Sequence, residues 1–139
     1  MRIELPAEKK RVHTMTIPIR WGDMDVMGHV NNTLYFRYME IARLQWMAEA
    51  GVPANPQGQG PVIVNAFCNF IRQLEFPGDV IVHTYVGAAG RSSFDTYHEM
   101  MREDDPLTVY ANGGATVVWV DFPRQTSLPM PAPLRQLLI

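Results

Sequence analysis

The chain has 139 residues, 47% of them hydrophobic and 19% charged, the size and composition of one compact globular domain with little room for a second. A formal net charge of -2 argues against a protein that embraces a nucleic-acid backbone, and the single cysteine, Cys68, excludes an intrachain disulfide. No stretch has the length and apolarity of a signal sequence or a membrane span, which predicts a cytoplasmic protein without membrane insertion.

Residues 1–12 are charged and are expected to form a mobile start. Residues 13–21 alternate as a strand, with Pro18 pointing to an edge or a bulge, and Gly22 ends it. From 34 to 50, Tyr35, Met39, Ala42 and Trp46 recur at helical spacing, and Leu34, Tyr38, Ile41 and Met47 widen the stripe. This is the one long helix. Asn31, Asn32 and Thr33 are all competent caps at its start, and Gly51 before Val52-Pro53 is a stop signal.

A Pro- and Gly-rich loop over 53–61 leads into strand patterns at 62–72, 80–86, 93–102 and 107–122. Pro77-Gly78-Asp79, the stretch 87–90 and Glu103-Asp104-Asp105-Pro106 separate them, and Gly113-Gly114 suggests a bulge or a close backbone approach. The Pro-rich tail, 123–139, is expected to leave the sheet. Short turns make neighbouring strands antiparallel, so the expected class is α+β: a curved sheet of about five strands embracing one long helix, in a single domain, 1–139.

Between the first strand and the helix lies Trp21-Gly22-Asp23-Met24-Asp25-Val26-Met27-Gly28-His29-Val30-Asn31-Asn32-Thr33-Leu34-Tyr35. Two carboxylates, an imidazole and two amides in so short a turn are costly unless they meet a substrate or one another. A carboxylate at a helix entrance sits near unpaired N–H groups that can polarise a carbonyl. Asp25 facing a thioester or ester whose oxygen points at the amides of Asn32 or Thr33 would join attacking group and oxyanion stabilisation in one turn. Asp25 would either add to the carbonyl or deprotonate a water. His29 would orient the carboxylate, position water or donate to the leaving group, or else simply stabilise the turn. Asp23 is the backup carboxylate, with a cap or turn role as the alternative.

The residues Trp-Gly-Asp-Met-Asp-x-x-Gly-His-Val-Asn-Asn-x-x-Tyr, followed by Glu40-Ile41-Ala42-Arg43, resemble the hotdog-fold acyl-CoA thioesterases of the 4-hydroxybenzoyl-CoA thioesterase-like superfamily, over about 13–122. The resemblance implies a hotdog fold, Asp25 as the catalytic carboxylate, an amide near Asn32 polarising the thioester carbonyl, and catalysis without a cofactor, coenzyme A thioester being the substrate. It also implies phosphate contacts to coenzyme A from Arg91 and Ser93 in Gly90-Arg91-Ser92-Ser93-Phe94, with Arg124 as a further candidate, and active sites at a homodimer interface, often within a tetramer. Glu40 and Arg43, one turn apart, read as an intrahelical or subunit-bridging ion pair. His13, His83 and His98 lie in separate strand patterns with no ligand spacing, so no metal site is expected. Cys68, in an apolar run, reads as core filler. The competing readings are an acyl-thioester hydratase or dehydratase and a non-catalytic acyl-CoA-binding domain.

Overall fold

The computed structural model describes residues 1–138. Five long strands, β1 (Lys10–Pro18), β2 (Gln59–Phe70), β3 (Asp79–Ala89), β4 (Ser93–Arg102) and β5 (Ala111–Asp121), and a short β6 (Thr126–Ser127) form one sheet, with the helices α1 (Asn32–Glu49) and α2 (Ala132–Arg135). The sheet runs β1-β3-β4-β5-β2, with β6 added beside β5, and every pairing is antiparallel. Sheet and helix together are the hotdog fold.

Tyr35, Tyr38, Met39, Ala42, Trp46 and Met47 bury one face of α1, as the helical stripe anticipates, and Arg43 joins them. The two halves of the helix serve two core clusters. Tyr35, Tyr38, Met39 and Ala42 pack with Ile17, Val80, Val82 and Met100, whereas Trp46 and Met47 pack with Val86, Phe94, Val117 and Trp119. The helix ends in a Schellman arrangement, Gly51 (φ 72°) bonding to the Ala48 carbonyl and Val52 to that of Met47, and this left-handed turn is why a glycine follows the helix.

Several expectations are corrected. The first strand ends at Pro18, and Trp21 belongs to a single 3-10 turn with Gly22 and Asp23, its indole 77% exposed. Residues 10–12 of the expected mobile start are part of β1. β3 runs through Gly87 to Ala89, absorbing the break as a register shift after Val86. The last long strand begins only at Ala111, because residues 107–110 make the approach to it. At Gly113 and Gly114 the pairing is regular and the bulge lies in β2 after Ile63, but the close approach is there. A Cβ on Gly113 would collide with the Phe67 carbonyl, and one on Gly114 would stand 2.8 Å from the Thr96 carbonyl.

Two departures matter more. β2 and β3, joined by a short proline-glycine segment, are not neighbours: β2 lies at one edge beside β5, and residues 71–78 cross over the start of α1. The crossing is pinned there, since Val30 N–H donates to the Leu74 carbonyl at 2.8 Å and Leu74 N–H to the Tyr35 hydroxyl at 3.1 Å. The tail does not simply leave the sheet. Leu128 N–H bonds the Trp119 carbonyl, Met130 N–H that of Arg91, and Met130, Leu134 and Leu138 fill the second cluster, because Trp119 and Val117 would otherwise face water.

Candidate active site

A cleft of about 720 Å³ opens where the loop, the first turn of α1 and the crossing segment meet, and Asp25, His29, Asn32, Tyr35, Arg72 and Glu75 are among its lining residues. The predicted trio Asp25, His29 and Asn32 is therefore brought together. Asp25 also lines a second hollow with Trp21, Val26 and Phe76, so its carboxylate stands on a ridge between two depressions.

The loop that holds Asp25 is built from its own backbone. Asp25 N–H donates to the His29 carbonyl at 2.7 Å and Gly28 N–H to the Asp25 carbonyl at 3.1 Å, a tight turn that requires the positive φ of 80° at Gly28. One carboxylate oxygen, Oδ1, accepts from Met27 N–H at 2.8 Å and from His29 N–H at 3.2 Å. The other makes no hydrogen bond among the described residues. The side chain is thus oriented through one oxygen and open at the other.

Asp23 takes the turn role: its Oδ2 accepts from Arg20 N–H at 3.0 Å and from the Tyr38 hydroxyl at 2.8 Å. Burial, with help from Asp23, raises the Tyr38 phenol and keeps it a neutral donor. Of the three competent caps, Asn31 is the one used. Its Oδ1 accepts from Thr33 N–H at 2.9 Å and from the Thr33 hydroxyl at 2.8 Å. Thr33's amide is therefore engaged, and of the two amides anticipated for a carbonyl oxygen only that of Asn32 finds no acceptor among the described residues. Asn31→Ala is expected to cost about 1 kcal/mol, read as a lower urea midpoint at unchanged m-value; an unshifted midpoint would show that the cap contributes nothing.

The His29 imidazole turns away from Asp25 and puts Nε2 3.5 Å from Glu75 Oε1, so it is the His29 backbone that touches the Asp25 carboxylate. Tyr35, Phe70, Arg72, Gln73, Glu75 and Tyr110 of the cleft were not anticipated from sequence. The local signal was the short polar pair Arg72-Gln73, with Glu75, soon after β2, and the position of this segment over α1 depends on the crossover. Burial pushes the Cys68 thiol up to about 12, which leaves it unreactive and agrees with core filler. No three His, Cys, Asp or Glu side chains gather as a metal-binding group among the described residues, and no helix is long and apolar enough to cross a membrane.

The anticipated coenzyme A contacts are not brought to this cleft within one chain. Arg91 lies in the β3–β4 turn, Ser93 opens β4, and Arg124 follows β5, where it is 3.8 Å from Asp121. Glu75, beside Asp25, is held instead at the other end of β4, its carbonyl accepting from Arg102 at 2.7 Å. The ten residues of β4 separate these ends by roughly 30 Å. The tail fixes the Arg91 turn, since Arg135 donates to the carbonyls of Gly90 and Arg91 at 2.8 and 2.9 Å.

One long helix wrapped by an antiparallel sheet, with a polar loop at the helix start, is the architecture of the hotdog-fold thioesterase-like proteins. Residues 19–138 match the family model of the Thioesterase-like superfamily, and the chain belongs to that family. Among solved structures, "PA2801 protein, a putative Thioesterase from Pseudomonas aeruginosa" is 38% identical, with 91% of this chain and 98% of that one covered at a TM-score of 0.87. "A putative acyl-CoA thioesterase from Xanthomonas campestris" is 37% identical over 84% of this chain and 98% of that one, with a TM-score of 0.75. The BH1999 gentisyl-coenzyme A thioesterase is 26% identical over 88% and 98%, with a TM-score of 0.78.

Proposed function

We propose that the protein hydrolyses acyl-CoA thioesters to coenzyme A and a carboxylic acid, with Asp25 as the group that attacks the carbonyl or activates water. The observation that carries this reading is the half-tethered carboxylate of a residue that lines the cleft, one oxygen held by two backbone amides and the other without a hydrogen bond among the described residues. A thioester carbonyl entering between Asp25 and Asn32 would meet a nucleophile or base on one side and an unengaged N–H at the positive end of the α1 dipole on the other. Two of the similar solved proteins carry coenzyme A thioesterase in their names, which supports the substrate class. His29 contributes through its main chain, and its ring, near Glu75, borders the path of the leaving group.

The bound state we infer is a homodimer. β2 is an edge strand, and Ile63, Val64, Phe70 and Ile71 on and just after it are exposed, a row of apolar side chains beside unpaired backbone groups. Antiparallel pairing of β2 with its copy reverses the strand, so the end of the second copy that carries Arg91, Ser93 and Arg124 comes to lie beside the Asp25 end of the first. One coenzyme A would then take its carbonyl chemistry from one subunit and its phosphate contacts from the other.

Incubation with an acyl-CoA panel and a thiol reagent tests the reading directly. Thiol release in step with thioester loss is expected; thioester loss without thiol would indicate hydration, and saturable binding without turnover a sensor. Arg91→Ala is expected to raise KM about tenfold with kcat little changed, since a phosphate contact far from the carbonyl acts alike in ground and transition states. Mixed dimers of Arg91→Ala and Asp25→Asn subunits should exceed the summed activity of the two parents at low substrate, because one site per mixed dimer is intact. Strictly additive rates, or a monomer in light scattering, would rule out a shared site.

A further inference from the structure

Arg43 lies on the inward face of α1 with only 7% of its surface exposed, and it is not paired as its spacing from Glu40 suggests. Glu40 bonds instead to Arg37, Nη1 to Oε1 at 3.0 Å, because both side chains lie on the solvent side of the helix. Among the described residues the Arg43 guanidinium makes no hydrogen bond and has no carboxylate within 4 Å. Among the described residues the only fully enclosed side-chain nitrogen or oxygen without a hydrogen-bond partner is Nε2 of His98, so the Arg43 nitrogens are not sealed in the core. They open into a groove of about 350 Å³ between α1 and the β2 edge, lined by Thr33, Phe36, Met39 and Ile63, with the Arg37–Glu40 pair also in its lining and Gly114 leaving the floor bare of a side chain. A Cβ at Gly114 would stand 3.0 Å from the Phe67 ring.

The surroundings supply no close counter-charge. Burial works against the Arg43 charge and is only partly opposed by Glu40 at a distance. His98, wholly buried with Nδ1 3.1 Å from the Thr84 hydroxyl, is held neutral, its pKa driven to about 3 by burial and by Arg43. A buried cation with neither ion pair nor hydrogen bond is a costly arrangement, and it favours whatever anion can enter the groove. A guanidinium presents paired donors that fit a carboxylate in particular.

The groove also stands in the right relation to the cleft. Asn32 lines the Asp25 cleft and Thr33, the next residue, lines the groove, so the two spaces begin on adjacent residues of the first turn of α1. Arg43 lies ten residues beyond Thr33, about 15 Å along the axis, and its long side chain leans back toward the helix start. An extended chain leaving a carbonyl at Asn32 would run over Phe36, Met39 and Ile63 and end at the guanidinium.

We propose that this groove is the acyl subsite of the Asp25 cleft and that Arg43 selects acyl chains ending in a carboxylate. The proposal rests on the thioesterase reading of the cleft and names the substrate class that reading leaves open. Thiol release from hexanedioyl-, octanedioyl- and decanedioyl-CoA, each beside its monocarboxylic counterpart, tests it on the purified full chain. At the length that spans the groove, kcat/KM is expected to favour the dicarboxylic chain by about ten- to a hundredfold. Arg43→Met should invert that preference, slowing the dicarboxylic chain and speeding the hydrocarbon one, whereas Arg43→Lys should keep part of it. Hydrolysis of the monocarboxylic chains with no dicarboxylic preference at any length, or a parallel loss on both series in Arg43→Met, would overturn the selection by Arg43 and leave the thioesterase reading standing. Thiol release from none of the six would overturn both. Thermal unfolding supplies an independent arm: removal of an unpaired buried charge should leave Tm level or higher, and a marked drop would show that Arg43 already has a partner in the assembled protein.

Discussion

Asp25→Asn should lower kcat by about two to four orders of magnitude while Tm stays within a degree or two of the parent, the size expected for loss of a positioned base or nucleophile. The amide keeps an oxygen to accept from the Met27 and His29 N–H groups, so the tight turn closed by Gly28 survives. What is lost is the negative charge of a carboxylate that lines the cleft. In the proposed complex the coenzyme A contacts lie elsewhere, so KM should change far less than kcat. The same variant separates Asp25 from Asp23, whose carboxylate is occupied by the Arg20 amide and the Tyr38 hydroxyl. A single turnover of the parent enzyme in oxygen-18 water bears on the route: label in the Asp25 carboxylate marks an anhydride opened at the protein carbonyl, whereas label confined to the product acid is the pattern both of water activation and of an anhydride opened at the acyl carbonyl. An Asp25→Asn enzyme within threefold of the parent kcat would end the proposal.

Trp119→Ala should be the most destabilising single truncation of a core side chain, costing about 3–5 kcal/mol in urea unfolding. Trp119 is 1% exposed, packs with Val86, Phe94, Met130 and Leu134, and donates its indole N–H to Gln59 at 2.6 Å. Its removal leaves a cavity that the helix and sheet on one side cannot close, and it unseats the tail on the other. Because that tail ties down the carbonyls of Gly90 and Arg91, the surviving folded enzyme should also show a raised KM. A loss below about 1.5 kcal/mol would mean that the tail collapses into the vacated space and is not held by the indole.

Much of the architecture could be read from local pattern. The stripe from Tyr35 to Met47 specifies α1 because burial of an amphipathic face is a local, periodic requirement, and its ends are set by an Asn cap and a glycine in left-handed conformation. The strand 93–102 was located to the residue, since alternation and flanking turns agree there. Boundaries failed where partners decide them. Leu107 to Tyr110 look strand-like, but only Tyr110 finds backbone partners in neighbouring segments, and Trp21 fits the strand pattern yet lies on an exposed turn.

The site divides in the same way. Asp25, His29 and Asn32 share one loop and one helix turn, so their meeting follows from short-range chain geometry, and that motif was legible. Arg72 and Glu75 enter the same cleft because residues 71–78 cross over α1 to reach the far strand, and Tyr110 joins them because its carbonyl pairs with the Ile71 and Arg72 N–H groups, consequences of strand order that no window of sequence contains. Glu40 and Arg43 show the limit most clearly: their spacing predicts a pair, but the inward rotation of Arg43 and the nearer Arg37 leave one charge matched at the surface and the other waiting in a groove. Periodicity, capping and the chemistry of a short loop therefore belong to the chain itself, because they act between residues a few positions apart. Which distant segments share a cleft, and which charge is left without a partner, belongs to the packed fold, because only the closed sheet sets those distances.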